Sequence, residues 1–164
     1  RDVVVLAHPS PRAQQAKADL EATLVSLSKG AAVCMAGENS ATVLDASHVL
    51  VVLSSGLLQV VLQDESSAIS LAVQHKPHDI VFVYLEPPEA QAHYHETPNA
   101  APHGSAEGDD ESWDFGAFYS LPDSNCKAAI ANSEALKYRP PIPPHHAYQH
   151  TALVAEVLRR MRVF

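Results

Sequence analysis

At 164 residues the chain has the length of one domain with a core of ordinary size, and 46% apolar with 18% charged residues is the composition of a globular protein. A net charge of −8 argues against a nucleic-acid groove, which needs clustered Lys and Arg against phosphates. No apolar run approaches the roughly 18 residues that a membrane-spanning helix requires.

Val3 to Ala7 is a continuous apolar run, the pattern of a strand buried on both faces, and His8-Pro9-Ser10-Pro11 ends it. Ser10 and Pro11 suit the N-cap and first position of a helix. Ala13, Ala16, Leu20, Leu24 and Leu27 then recur at three- and four-residue spacing, which places them on one helical face, and Gly30 is placed to stop that helix. Ala31 to Met35 reads as a second, short strand. Gly37 breaks it, and Asn39 or Ser40 can cap a brief helix ending near Ala46. His48 to Leu53 is the clearest strand, a β-branched and aliphatic run that stops at Ser54-Ser55-Gly56. A helix is expected over Leu57 to Gln74, although Leu57 to Leu62 also fits an extended strand. Ile80 to Leu85 is a fourth strand, ended by Glu86-Pro87-Pro88.

This alternation predicts an α/β fold: an open parallel sheet of four to five strands with helices on both faces. Ligands and partners of such sheets gather beyond the carboxyl ends of the strands. After the fourth strand the pattern lapses. Residues 87–112, with repeated Pro, His, Ala, Asn and Gly, read as a long irregular insertion, a loop or a disordered one. Trp113, Phe115, Phe118 and Tyr119 then pin the chain back onto the core. Cys126 to Ala131 fits either a fifth strand or a helix, and four prolines between Pro140 and Pro144 demand an extended segment. The last helix runs from about Ala147 to Met161, with Leu153, Val154, Val157, Leu158 and Met161 as its apolar stripe. Arg159, Arg160 and Arg162 suit the negative end of its dipole. The whole chain, 1–164, reads as one domain.

Each candidate chemistry stands beside a plainer alternative. Ten histidines invite a metal reading, through His93-Tyr94-His95-Glu96 or His145-His146 with His150. No H-E-x-x-H pattern accompanies them, so solvated histidines are the expectation and no metal is assigned. Ser54 and Ser55 follow a buried strand, but L-S-S-G-L is not the G-x-S-x-G of a nucleophile elbow, and helix capping is the simpler role. The first strand is followed by no glycine-rich phosphate loop. Cys34 and Cys126 are expected to be free, buried thiols. Glu65 on the third helix and Glu86 at the fourth strand's end are the carboxylates placed for general-base work or for holding a ribose. Asp109-Asp110-Glu111 reads as a solvated acidic stretch.

Three stretches resemble the Toll/interleukin-1 receptor (TIR) domain family. Asp2-Val3-Val4-Val5-Leu6-Ala7-His8 resembles its opening strand. Ser47-His48-Val49-Leu50-Val51-Val52-Leu53-Ser54 with Gly56-Leu57-Leu58 resembles its third strand, and Asp79 to Leu85 fits the fourth. The match covers the first half of the chain, and the last helix is compatible with it. The resemblance implies a TIR-like signalling or scaffolding domain, cytoplasmic, that works through protein–protein contact and by self-association with TIR or TIR-like domains, with no cofactor. The family's self-association loop after the second strand is short here, reduced to Ala36-Gly37-Glu38-Asn39-Ser40. Its NAD+-cleaving members carry a glutamate on the third helix, about ten residues before the fourth strand. The matching positions, Ser66 to Ile69, hold none. Glu65 lies at least one residue away, a rotation of about 100° on a helix.

The expected interaction surface comprises His8, Ser10, Gly37, Glu38, Ser54 and Ser55, with Trp113 and Tyr119 as apolar anchors. The competing reading is an NAD+ glycohydrolase using Glu65 or Glu86, with NAD+ as substrate. A receiver-like switch is a third; it would want acidic residues where His8-Pro9 and Ser54-Ser55 stand. The opening Arg1-Asp2-Val3 has no signal-peptide character, and a start without Met is expected of a domain excised from a longer protein.

Overall fold

The computed structural model describes residues 2–28, 34–35, 40–63, 68–86, 111–141 and 147–161. In chain order the elements are β1 (Asp2–Leu6), α1 (Pro11–Leu27), β2 (Cys34–Met35), α2 (Ser40–Asp45), β3 (His48–Leu53), α3 (Ser55–Gln63) and α4 (Ala68–His75). There follow β4 (Ile80–Tyr84), α5 (Phe115–Tyr119), α6 (Asn125–Asn132), β5 (Leu136–Lys137) and α7 (Ala147–Arg160).

The five strands form one sheet in the order β2-β1-β3-β4-β5, parallel at every pairing. Strand alternation divides the core into two layers. Val3 and Val5, Leu50 and Val52, and Val81 and Val83 face one side, where Leu20 and Leu24 of α1 and Val154, Val157 and Leu158 of α7 cover them. Val4 and Leu6, Val49, Val51 and Leu53, and Phe82 face the other, under Val43 of α2, Leu57 of α3, Ile69 and Val73 of α4, Phe118 of α5 and Ile130 of α6. Parallel strands covered on both faces must be apolar at consecutive positions, and Val49 to Leu53 are all fully buried. The α/β open parallel sheet with helices on both faces is the architecture that the alternation predicts.

Local chemistry explains the boundaries. Ser10 takes the extended N-cap conformation and Pro11 the first helical position of α1. The helix closes on Ser28, whose amide bonds to Leu24 O, before Gly30 is reached. Cys126 is a buried free thiol against Ser70 Oγ at 3.3 Å.

The helix expected over Leu57 to Gln74 is described as α3 and α4 on either side of residues 64–67, so the extended alternative for its first half does not hold. Other expectations are resolved or corrected. Residues 125–132 form a helix, capped by the Ser124 hydroxyl on the Lys127 amide. The fifth strand is Leu136–Lys137 instead, paired with Val83 and Tyr84. Glu111 and Ser112, placed in the insertion and its solvated acidic stretch, are 9% and 7% exposed. Main-chain bonds hold them: Ser55 N–H donates to Glu111 O, and Trp113 N–H donates to Leu85 O. Gly37, Glu38, Glu65, Arg162 and the histidines at 93, 95, 145 and 146 lie outside the described residues, as does the side chain of Cys34.

Candidate functional site

The order β2-β1-β3 means that the chain leaves β1 towards one side of the sheet and later returns to its other side at β3. The carboxyl ends of β1 and β3 thus flank a topological switch point, the crevice where open α/β sheets place their sites. His8 and Ser10 follow β1, Ser54 and Ser55 follow β3, and Glu86 follows β4, so five of the residues singled out in the sequence converge on this edge.

Around His8 the packing is close. The His8 ring lies against Gly56, where an added Cβ would come within 2.5 Å of Nδ1 and 2.6 Å of Cδ2 and Cε1. Only glycine admits the imidazole there. His8 Nδ1 accepts the Ser10 amide at 3.3 Å, which leaves the proton of a neutral ring on Nε2. Gln14 Nε2 donates to His8 O at 3.1 Å and fastens the β1–α1 connection. Ser54 is fully buried; its carbonyl accepts the Leu57 amide at 2.9 Å, the first turn of α3.

Two residues that the sequence did not place at this edge, Arg12 and Glu111, organise it. Arg12, in the first turn of α1, donates its main-chain N–H to Glu111 Oε1 at 2.7 Å and its guanidinium Nη2 to Glu86 O. A carboxylate on the amides that open a helix is favoured by bond and dipole together. Glu86 Oε2 meets Lys137 Nζ at 3.0 Å, tying β4 to β5. A cation one residue inside a helix that follows the first strand was the signal available for Arg12. Glu111 gave none, because its contact is 99 residues away in sequence.

The aromatic residues divide by exposure. Trp113 is 4% exposed, with its ring centroid 5.2 Å from that of Phe118, so it is a core residue and not a surface anchor. Tyr119 is 58% exposed and Phe115 41%; their rings stack at 6.4 Å and 24°. Phe115 in turn meets Tyr84 edge-on at 5.1 Å. Lys127 Nζ donates to Tyr119 O and Leu121 O and braces the C-terminal end of α5.

A concavity of about 330 Å³ lies between β5 and α7, lined by Leu136, Arg139, Tyr148 and Leu153 among others. Behind it a polar network joins three elements. His150, 2% exposed, meets Thr23 Oγ1 at 2.9 Å and Arg139 O at 2.7 Å, and Tyr138 donates its hydroxyl to Asp19 Oδ2 at 3.1 Å. Burial, followed by the adjacent Asp19 charge and hydrogen bond, pushes the Tyr138 phenol well above its ordinary value. Among the described residues no three His, Cys, Asp or Glu side chains are grouped to hold a metal ion, and no helix is long and apolar enough to cross a membrane.

No family model matches this chain, and no curated protein matches its sequence.

Proposed function

We propose that the chain is a TIR-like signalling or scaffolding domain that acts by protein–protein contact, including self-association with TIR-like domains, and is not an enzyme. One observation carries this reading. At the switch point the His8 imidazole and the Glu86 and Glu111 carboxylates are turned onto the protein itself, while beside it the stacked rings of Phe115 and Tyr119 stand in solvent. His8 is bonded to Ser10 and seated on Gly56, Glu111 to Arg12, and Glu86 to Lys137. A general base must reach its substrate, and neither Glu86 nor Glu111 is free to do so. Interface anchors, by contrast, are large amphipathic aromatic residues with a polar surround, as Tyr119 beside Lys127 and Asp123 provides. The strand order is the flavodoxin-like one of doubly wound folds, the architecture that the family resemblance implies.

Light scattering on the purified domain across a concentration series tests the reading. Concentration-dependent association that Phe115→Ser and Tyr119→Ser both abolish is expected; association untouched by either would remove this surface. NAD+ consumption decides against the enzymatic alternative. Formation of nicotinamide and ADP-ribose, lost in Glu65→Ala or Glu86→Ala, would make the protein an NAD+ glycohydrolase.

A further inference from the structure

Three polar atoms around the switch point are shut from solvent and have no hydrogen-bond partner among the described residues: Ser10 Oγ, Arg12 Nη1 and Ser54 Oγ. Buried polar atoms are nearly always paired, so three at one strand edge require an occupant. Their placement converges. Leu50 and Val52 point to the α1 layer and Val49, Val51 and Leu53 to the other, so the next residue in the alternation, Ser54, turns towards α1. Arg12 starts from the first turn of α1, next to β1, and its guanidinium reaches Glu86 O at the end of β4. Since β3 lies between β1 and β4, with strands about 4.8 Å apart, that side chain passes over the end of β3, where Ser54 sits. Ser10 is the N-cap of the same helix, and its hydroxyl makes no capping bond.

Chemistry selects the occupant. Arginine nitrogens only donate, and both serine hydroxyls can donate, so the gap wants an acceptor. The guanidinium forms no ion pair with any described carboxylate; Glu111 directs its oxygen to the Arg12 amide and Glu86 to Lys137. A water molecule would complete the bonds but would bring no charge to the guanidinium, which no described carboxylate meets in a direct ion pair. We propose that Ser10, Arg12 and Ser54 form a binding site for one small inorganic anion, held by the two hydroxyls and the free end of the guanidinium. The enclosure of all three atoms restricts the occupant to the size of a halide or a single oxyanion. This goes beyond the interaction reading and holds whether or not the domain associates.

The test titrates the full chain with sodium chloride and, separately, with sodium phosphate, in a gluconate background at constant ionic strength. The readout is the backbone amide resonances of Ser10, Arg12, Ser54 and Ser55. Saturable shifts at these amides with at least one anion are expected, and the more tightly held anion identifies the class. Ser54→Ala removes one donor without removing a structural bond and should weaken binding roughly tenfold, the scale of one hydrogen bond to a charge. Arg12→Met should abolish saturation, and Ser54→Ala keeps the test open if that variant fails to fold. Shifts linear in salt, the mark of a site holding water only, would overturn the proposal. So would saturation left unchanged in Ser54→Ala.

Discussion

Gly56→Ala probes the switch point through a single methyl group. The new Cβ would fall 2.5 to 2.6 Å from three atoms of the His8 ring, where ordinary contact begins near 3.4 Å. The ring must therefore retreat by about 0.9 Å, against its hydrogen bond from the Ser10 amide. Overpacking of this kind costs about 1–3 kcal/mol. Alanine is also the better helix former, by up to about 1 kcal/mol in a helix interior and less near an end. Gly56 is the second residue of α3, so the smaller gain applies. The net expectation is a loss of roughly 0.5–2 kcal/mol, or about 1–8 °C in Tm for a domain of this size. In a His8→Ala background the obstruction is gone, and the same substitution should stabilise by a few tenths of a kcal/mol, up to about 1. Urea unfolding followed by the buried Trp113 measures all four species of the cycle. Equal stabilisation by Gly56→Ala in both backgrounds would refute the seating of His8 on Gly56.

Other expectations follow from the network behind β5 and from α7. Tyr138 keeps its proton in the folded state above the value near 10 at which an unfolded tyrosine ionises. Its contribution is therefore complete below about pH 10 and lost as pH rises beyond it; chemical denaturation between pH 8 and 11 should show a shallower alkaline decline for Tyr138→Phe, and an unchanged slope would contradict this. His150→Ala would leave Thr23 and Arg139 O without their partner and open a cavity between α1 and α7, at a cost of about 2–4 kcal/mol read from guanidinium unfolding. The hydrogen bond from Arg159, with help from Arg160, lowers the Glu156 carboxyl from 4.5 to about 2. Stability from that pairing is present above 4.5 and lost as pH falls towards 2, but Arg159 is 69% exposed, so Glu156→Gln should cost less than about 1 kcal/mol at pH 7.

The elements that could be read from the chain are those whose burial dictates their composition. β3 is buried on both faces, so Val49 to Leu53 had to be an unbroken aliphatic run, and its limit follows from the serines at its end. Ala13, Ala16, Leu20 and Leu24 form the buried face of α1 because a helix packed on a sheet repeats its apolar residues every three or four positions. β5 has only two residues, too few for any period, and it exists because Leu136 and Lys137 pair with Val83 and Tyr84 at the sheet edge. Of the site, the strand ends at His8, Ser54 and Glu86 were legible from where apolar runs stop. The partners of Arg12 were not, since Glu111 stands after two aspartates and differs from a solvated carboxylate only by a contact across the chain. Trp113 was readable as a core residue or as an anchor, and only packing against Phe118 distinguishes the two.

Arg12 also acts as a buckle. Its side chain holds the carbonyl of Glu86, its own amide holds the carboxylate of Glu111, and the Leu85–Trp113 bond lies alongside. The chain therefore departs from the sheet and rejoins it at two points fastened to the same residue, and the closure of whatever lies between them is already enforced by the body of the protein. Lengthening a closed loop is inexpensive, about 0.6 kcal/mol for each doubling. The stretch between Glu86 and Glu111 is thus bracketed by fixed points, and a foreign module such as a fluorescent reporter spliced between them should leave the five strands in register.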